Sequence, residues 1–558
     1  MKEKKSVRSV VIQIVLFLAA AFVAFWFMLP PIHPRSPLFW QYVLVLIVEA
    51  LVIFGFASLK QAIFSGVAQP HMGSNQVIDL EELKQARKIW FKPRHVKVLL
   101  IAAAVIVGLG ILATVVGSQL FNAKSYSRLI TYQEGNFSED VAEISMNQIP
   151  VVDRETSIAL GKRKLGEMSD LVSQFNIADN YTQINYNGQP VRVSPLMYGD
   201  AIKWLKNMGN GIPGYIMVNM TTQEASLVRL DQGIRYSESE YFMRNIYRHL
   251  RFQHPTRIFD DVTFEIDDNG TPYWVASTVE YRIGWWSGSD IGGAVLVNAL
   301  TGESAYYDLE DIPSWVDQVF SSSLVVEQLT FMGKYTNGFF NSIFGQTGVL
   351  RPTEGYNYLA INDDVWLYTG MTSVLADQSN VGFVLVNLRT KETKFYSIPG
   401  AEEYSAMSSA QGQVQHLNYT ATFPLLLNVA DRPTYFMSLK DAAGLVKMYA
   451  FVDVAQYQVV GTGDTVDAAR DDYIMKLSNE NIETPSAQED ITALVEKIAS
   501  AVVDGNTVYY IRLAGSEDVY TVPVSLSDQL PFVAVGDHIT LTVSSTDSFK
   551  KVLAVKFP

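Results

Sequence analysis

The stretch Gly293-Ala-Val-Leu-Val-Asn298-Ala-Leu-Thr301-Gly-Glu303 decides how most of this chain is built. A glycine opens it, an apolar run follows, and Asn, Thr and Glu close it. The pattern reads as a strand, a turn and the start of the return strand. Asn bends the turn because its short side chain bonds nearby backbone, and Thr returns the chain to extended structure. The same spelling recurs at Gly214-Tyr-Ile-Met-Val-Asn219-Met-Thr-Thr222-Gln-Glu224 and at Gly382-Phe-Val-Leu-Val-Asn387-Leu-Arg-Thr390-Lys-Glu392. A fourth, worn copy is Met448-Tyr-Ala-Phe-Val452-Asp453-Val-Ala-Gln456. The copies start 79, 89 and 66 residues apart. That is longer than most solenoid repeats and suits small α/β modules.

Working outward, each copy follows a turn signal and an aromatic strand: Asn187-Gly188, Asp268-Asn269-Gly270, Asn362-Asp363 and Ala430-Asp431. Asn-Gly and Asp-Asn-Gly tolerate positive φ and favour tight hairpins. Helices are expected after each strand pair, over residues 237–252, 313–329, 401–413 and 464–477. Pro313 and the acids Glu238, Glu240, Glu402 and Glu403 suit helix N-termini. The unit is a few antiparallel strands packed on one helix.

A strand ending in Val-Asn or Val-Asp, a turn with Thr-Gly-Glu, and an aromatic strand before it resemble the PepSY-type domain. The closest match is Pro272-Tyr273-Trp274-Val275 leading to Val297-Asn298-Ala-Leu-Thr301-Gly302-Glu303. The family usually has Asp where Asn298 stands, and the other copies lack its Gly. The resemblance covers residues 181–480, module by module. It implies α/β modules on exported or membrane proteins that bind or restrain other extracytoplasmic proteins, and it brings no catalytic residues. The whole chain also resembles multi-span surface proteins of the Firmicutes type.

Residues 9–29, 38–59 and 98–117 are apolar runs, with Glu49 the single charge among them. Each is long enough for the roughly 20-residue helix that crosses a bilayer. The first run is longer than the apolar part of a signal peptide, and a second span follows at once, so it reads as a retained span. Lys2, Lys4, Lys5 and Arg8 precede the first span, and seven bases lie in the loop 60–97. The link 30–37 carries only Arg35. The positive-inside rule puts the N-terminus and that loop in the cytoplasm, and three spans then send residues 118–558 outside. Within the loop, residues 78–90 read as a short amphipathic helix on the membrane or on a partner.

Residues 98–558 hold 31 basic and 52 acidic residues. That balance excludes nucleic acid as a partner, since phosphate binding needs the opposite sign. The chain has no cysteine. Thiol catalysis, Cys-type zinc sites and disulfides are therefore excluded, and apolar cores must hold the exported part.

Chemical motifs are weak. Gly209-Asn-Gly211-Ile-Pro-Gly214 has the letters of a dinucleotide fingerprint, but a strand follows where a helix is needed. His249 and His254 are five apart, not the four that puts two ligands on one helix face. The pairs Asp267-Asp268 and Asp363-Asp364 lack the distal Glu of a calcium loop. The stretch 287–290 has no nearby histidine. No catalytic residue, metal or cofactor is assigned.

Glu49 stands mid-span, where a charge costs about 3 kcal/mol on insertion scales, so a neighbouring helix, a cavity or an oligomer partner is expected to take it. Ala104 and Gly108, four apart in the third span, are candidates for close helix packing.

The fold class expected is α+β. A three-span anchor (1–117, with the loop 60–97) leads through a stalk or helical entry segment (118–180) to two pairs of PepSY-like modules (181–335 and 336–488). A small OB-like β-barrel (489–558) ends the chain, with a helix over 491–502 before its strands. The repeat glycines, Asn and Thr residues are structural. The expected partners are the lipid bilayer and an envelope protein or a second copy of the chain. An accessory subunit of a transporter using Glu49, and a cell-wall hydrolase with a site between modules, are the alternatives.

Overall fold

A computed structural model of the chain describes residues 7–64, 94–143, 149–374, 379–479, 488–503, 506–516, 518–544 and 552–557. The helix expected over 78–90 lies outside these residues. The protein is a mixed α+β molecule with three apolar N-terminal helices and several antiparallel sheets.

Helices α1 (Val7–Met28), α2 (Pro37–Phe64) and α3 (Arg94–Val116) are long and apolar enough to cross a membrane. Their apolar side chains point outward: Leu18 is 60% exposed and Ile101 is 63% exposed. In water such a surface would be costly; against lipid it is the stable arrangement.

After α3 the chain does not stand free as a stalk. Helix α4 (Gln119–Tyr126) and strand β1 (Gln133–Glu134) form a strap. Lys391 donates to the Leu129 carbonyl at 2.7 Å, and Lys394 pairs with Asp140 at 2.7 Å. Asn428 donates to the Val141 carbonyl at 2.8 Å, so the strap reaches the last repeat before the first one is built.

The first sheet follows helix α5 (Arg154–Gly166), capped by Asp153, which accepts from the Thr156 amide at 2.9 Å. Its strands are β2 (Phe175–Ile177), β3 (Thr182–Tyr186), β4 (Gln189–Tyr198), β5 (Ile212–Asn219) and β6 (Ala225–Ile234). The helix α6 (Ala201–Asn207) links β4 to β5. Helix α7 (Ile246–Gln253) then precedes the second sheet, β7 (Phe259–Ile266), β8 (Pro272–Ile283), β9 (Ser287–Asn298) and β10 (Ser304–Asp308), in order β10-β9-β8-β7.

Helix α8 (Ser322–Tyr335) precedes the third sheet: β11 (Leu350–Pro352), β12 (Asn357–Ile361), β13 (Asp364–Ser373), β14 (Ser379–Asn387), β15 (Thr393–Tyr396) and β16 (Gly400–Ala401). Strand β1 adds to it in parallel beside β15. Helix α9 (Glu403–Gln413) leads to the fourth sheet: β17 (Thr420–Ala421), β18 (Leu425–Val429), β19 (Arg432–Lys440), β20 (Val446–Asp453) and β21 (Val460–Gly463). Helix α10 (Val466–Asn479) closes it. Helices thus form close to all four expected segments; α7, α8 and α9 each precede a sheet, and α10 follows the fourth.

The apolar runs of the repeat are explained by burial on both faces, as in strands that alternate too little to face water. In the second sheet Trp274, Val295 and Val297 share a core with Tyr215 and Ile216 of the first. Val275, Ala294 and Leu296 face the other way, onto Val325 and Leu329 of α8. In the third sheet Leu367, Val384 and Val386 meet that same helix, while Tyr368, Phe383 and Leu385 join the core of Tyr435 and Phe436. Each such side chain contributes about 1.5–3 kcal/mol on leaving water.

The C-terminal part departs from expectation. The segment 491–502 is not a helix but lies within strand β22 (Gln488–Val503). Its first half pairs with β25 (His538–Ser544) and its second half with β23 (Asn506–Leu513). Ala, Leu, Glu and Lys favour helix locally, but two ladders override a propensity worth tenths of a kcal/mol per residue. With β24 (Val519–Pro523) and β26 (Val552–Lys556) the order is β24-β23-β22-β25-β26. Among the described residues the edges β24 and β26 share no ladder, so this is an open sheet and not a closed barrel.

Candidate functional site

The repeat turns share one geometry. Asn219 Oδ1 accepts from the amides of Thr221 and Thr222, each at 2.9 Å. Asn298 Oδ1 accepts from Leu300 and Thr301 at 2.9 and 3.0 Å, and Asn387 Oδ1 from Arg389 and Thr390 at 2.9 Å each. Each Asn amide donates to the carbonyl of the motif's Glu at 2.9 Å. The residue between Thr and Glu is left-handed in every copy: Gln223 at φ 62°, Gly302 at 77° and Lys391 at 66°. Thr301 and Thr390 hydroxyls accept from the Glu amides at 3.2 and 3.3 Å.

The motif glycines mark close approaches. A Cβ on Gly214, Gly293 or Gly382 would stand 2.0, 2.3 or 2.3 Å from a carbonyl oxygen of the return strand. Next to each glycine a ladder shifts register, as at a β-bulge.

The fourth copy keeps the turn with a carboxylate. Asp453 Oδ1 accepts from the Gln456 amide at 2.7 Å, and the Asp453 amide donates to Val459 across a turn one residue longer. Arg432 clamps that carboxylate through two bonds, at 2.8 and 3.1 Å, and the Tyr473 hydroxyl donates to it at 3.0 Å. The guanidinium is held charged by this pair, its pKa raised by the Asp453 bond.

A buried polar junction lies where the first three sheets meet, at residues the sequence reading did not single out. Glu265 on β7 is fully buried and accepts from the amides of Asp317 and Gln318, at 2.8 and 3.1 Å, and from the Thr263 hydroxyl. Asp317, 1% exposed, accepts from the Asn185 amide of β3 at 2.7 Å. Burial pushes Glu265 up to about 7 despite its three donors. Burial also pushes Asp317 up, and the Glu265 charge adds to that. In the first sheet Arg192, 5% exposed, donates to Gln183 at 3.0 Å and pairs with no carboxylate among the described residues. Burial lowers its pKa to about 10. The available signal was a lone charge between apolar neighbours, as in Phe264-Glu265-Ile266 and Val191-Arg192-Val193.

At the other end of the body the link 30–37 is clasped by the second sheet. Pro34 carbonyl accepts from the indoles of Trp40 and Trp285, at 2.7 and 2.9 Å. Arg251 donates to Leu29 carbonyl at 2.9 Å, and Ile32 amide to Pro255 at 2.7 Å. Beyond α3, Gly117 packs against Ser287 and Gly284. The link and the exit of α3 therefore lie on the same side of the spans as the body. An apolar cavity of about 410 Å³ opens there between α3 and Trp40, Trp285 and Trp286.

Within the spans, Glu49 Oε2 is buried and has no hydrogen-bond partner among the described residues. Ala104 and Gly108 lie exposed on α3, with nothing among the described residues within 4 Å of where a Gly108 Cβ would stand. Gly110 instead meets Trp286 at 3.7 Å. The histidines are engaged separately: His249 with the Gly302 carbonyl at 2.7 Å and His254 with the Ser304 hydroxyl at 3.0 Å. Burial lowers both pKa values. Asp267 caps its own turn through the amides of Asn269 and Thr271, and Asp364 pairs with Arg389. Strand β5 begins at Ile212, so the glycines at 209–214 lead into a strand.

No protein-family model matches the sequence, so its likeness to PepSY-type domains rests on the turn motif alone. No curated protein matches it either. Among solved structures, a mutant levansucrase of B. megaterium aligns at 9% identity over 75% of this chain and 97% of that one, with a TM-score of 0.17. A TM-score that low carries no argument about fold or activity.

Proposed function

We propose that this chain is a membrane-anchored extracytoplasmic scaffold that binds or regulates another cell-envelope protein, or assembles with copies of itself. The observation that carries it is the shared burial of the second and third sheets on both faces, which makes the four sheets and their helices one body. Filled interfaces leave the outer surfaces and sheet edges to do the work. The clasp on the link 30–37 supports a fixed pose over the bilayer, and the bases before α1 support an outward body. Glu265 has both oxygens engaged by backbone amides, which argues against the hydrolase alternative at that junction. The test is cross-linking in native membranes followed by affinity capture. A specific envelope protein or a discrete homo-oligomer is expected. Monomers alone, at every cross-linker length, contradict the proposal.

The reading as a transporter's accessory subunit is favoured by one observation, the buried and unpartnered Glu49 Oε2. Glu49→Gln then alters transport or assembly. Unchanged transport and assembly retire that reading.

A further inference from the structure

Helix α6 reads Ala201-Ile202-Lys203-Trp204-Leu205-Lys206-Asn207, and its apolar side chains turn away from the protein. Ile202 is 80% exposed and Leu205 is 66% exposed. Phe242 beside them is 64% exposed and sits at φ 52°, a conformation that costs a bulky residue about 1 kcal/mol or more. The cluster is built, not loose. The Trp204 ring lies 4.7 Å from Tyr241, and its indole donates at 2.7 Å to Glu240, itself 2% exposed. Exposed apolar clusters of this kind mark contact surfaces.

Its surroundings say what covers it. Lys203, Lys206, Arg244 and Arg248 frame the cluster; of the nearby acids, Asp200 is taken by Lys203 at 3.3 Å, Glu238 accepts from the Tyr247 hydroxyl, and Glu240 is buried, accepting from Trp204 and Tyr198. Four bases against three acids here contrast with the 31 bases and 52 acids of residues 98–558. Helix α7 sets the depth. Near its C-terminal end Arg251 and Pro255 meet Leu29 and Ile32, just beyond α1. One turn earlier the Arg248 guanidinium lies 4.9 Å over the Trp26 ring, inside α1. Phe252, near the C-terminal end, also packs on α1, 5.7 Å from Phe25 and 6.2 Å from Trp26, so α7 lies along the last turn of α1 and residues 241–244 lead into it.

We propose that α6 and residues 241–243 insert into the interfacial layer of the leaflet on the body's side, a second landing point beside the spans. Apolar side chains in the headgroup boundary with flanking lysines are the chemistry of an interfacial helix on an anionic leaflet.

The chain has no cysteine, so a single Leu205→Cys can carry an environment-sensitive dye on the full-length protein in nanodiscs containing phosphatidylglycerol. The expected result is blue-shifted emission and about twofold or stronger quenching by lipids brominated near the headgroup. Asn269→Cys, in an exposed turn of the second sheet, should show neither. Adding Ile202→Ser and Phe242→Ser, both exposed positions, should relieve the quenching at 205. Aqueous emission without lipid quenching at 205 overturns the proposal. So does a shielded but unquenched label accompanied by dimers cross-linked through that position, which assigns the face to a second copy.

Discussion

Three of the repeat turns hold a neutral amide where the fourth holds a carboxylate, and the two solutions differ in what they demand from the rest of the protein. Asn219, Asn298 and Asn387 satisfy their turns locally, with Oδ1 on two amides. Asp453 makes an equivalent turn, but its charge is 1% exposed on the side chain and needs Arg432 and Tyr473. The glycine requirement moves as well. In the first three copies it lies on the motif strand; in the fourth, Met448 takes that place and the tight contacts pass to Gly461 and Gly463 against α10. One backbone geometry is thus compatible with two electrostatic arrangements, and the charged one is tied to a neighbouring helix.

The largest effect is expected at the charged turn. Arg432→Ala strands the buried Asp453 and should destabilise by about 3–5 kcal/mol in thermal or denaturant unfolding. A loss below 1 kcal/mol would show that the carboxylate does not depend on its partner. Next comes Gly382→Ala, whose Cβ meets the Tyr396 carbonyl at 2.3 Å; a cost of about 2–4 kcal/mol is expected. A neutral result would place the strands farther apart than described.

The acid junction has a pH signature that neither kind of turn predicts. With Glu265 near 7 when folded and near its ordinary carboxylate value when unfolded, the folded state binds the extra proton between these limits. The Glu265 contribution is therefore fully present below about pH 4.5 and is lost as pH rises through about 7, and the raised Asp317 acts in the same direction. The midpoint of thermal unfolding should drop by on the order of 5 °C across that window. Glu265→Gln should reduce the drop, and a slope of opposite sign would contradict the assignment.

The smallest effect is expected at a neutral turn. Asn298→Ala removes two side-chain acceptor bonds and should cost about 1–2 kcal/mol. If it matches Arg432→Ala in size, the contrast between the turns disappears.

How much of this was legible in the sequence depends on whether the signal was local. The Asn-Thr-Glu turns and the two-residue hairpin at Asn187-Gly188 are set by residues within six positions of one another, and they form where the spelling says. The three helices long enough to cross a membrane follow from length and apolarity. Strand β22 departs from the local helix signal because its partners in β25 lie 44 to 56 residues away and outweigh local helix preference. The strap could not be seen at all, since Asp140 and Lys394 meet across 254 positions. For the same reason Glu265 and Asp317 read as ordinary charges, and only the packing of three sheets makes them a buried pair. Ala104 and Gly108 carry a packing pattern, and among the described residues nothing stands within 4 Å of a Gly108 Cβ.

The central claim is that this body of repeated units is displayed outside the cell, on the far side from the loop 60–97. The absence of cysteine makes the direct measurement clean. Single cysteines at Asn269 and at Ser74 are exposed to a membrane-impermeant maleimide on intact cells, then again after permeabilisation. The account predicts that Asn269→Cys labels at once and Ser74→Cys only after permeabilisation; the reverse pattern contradicts it.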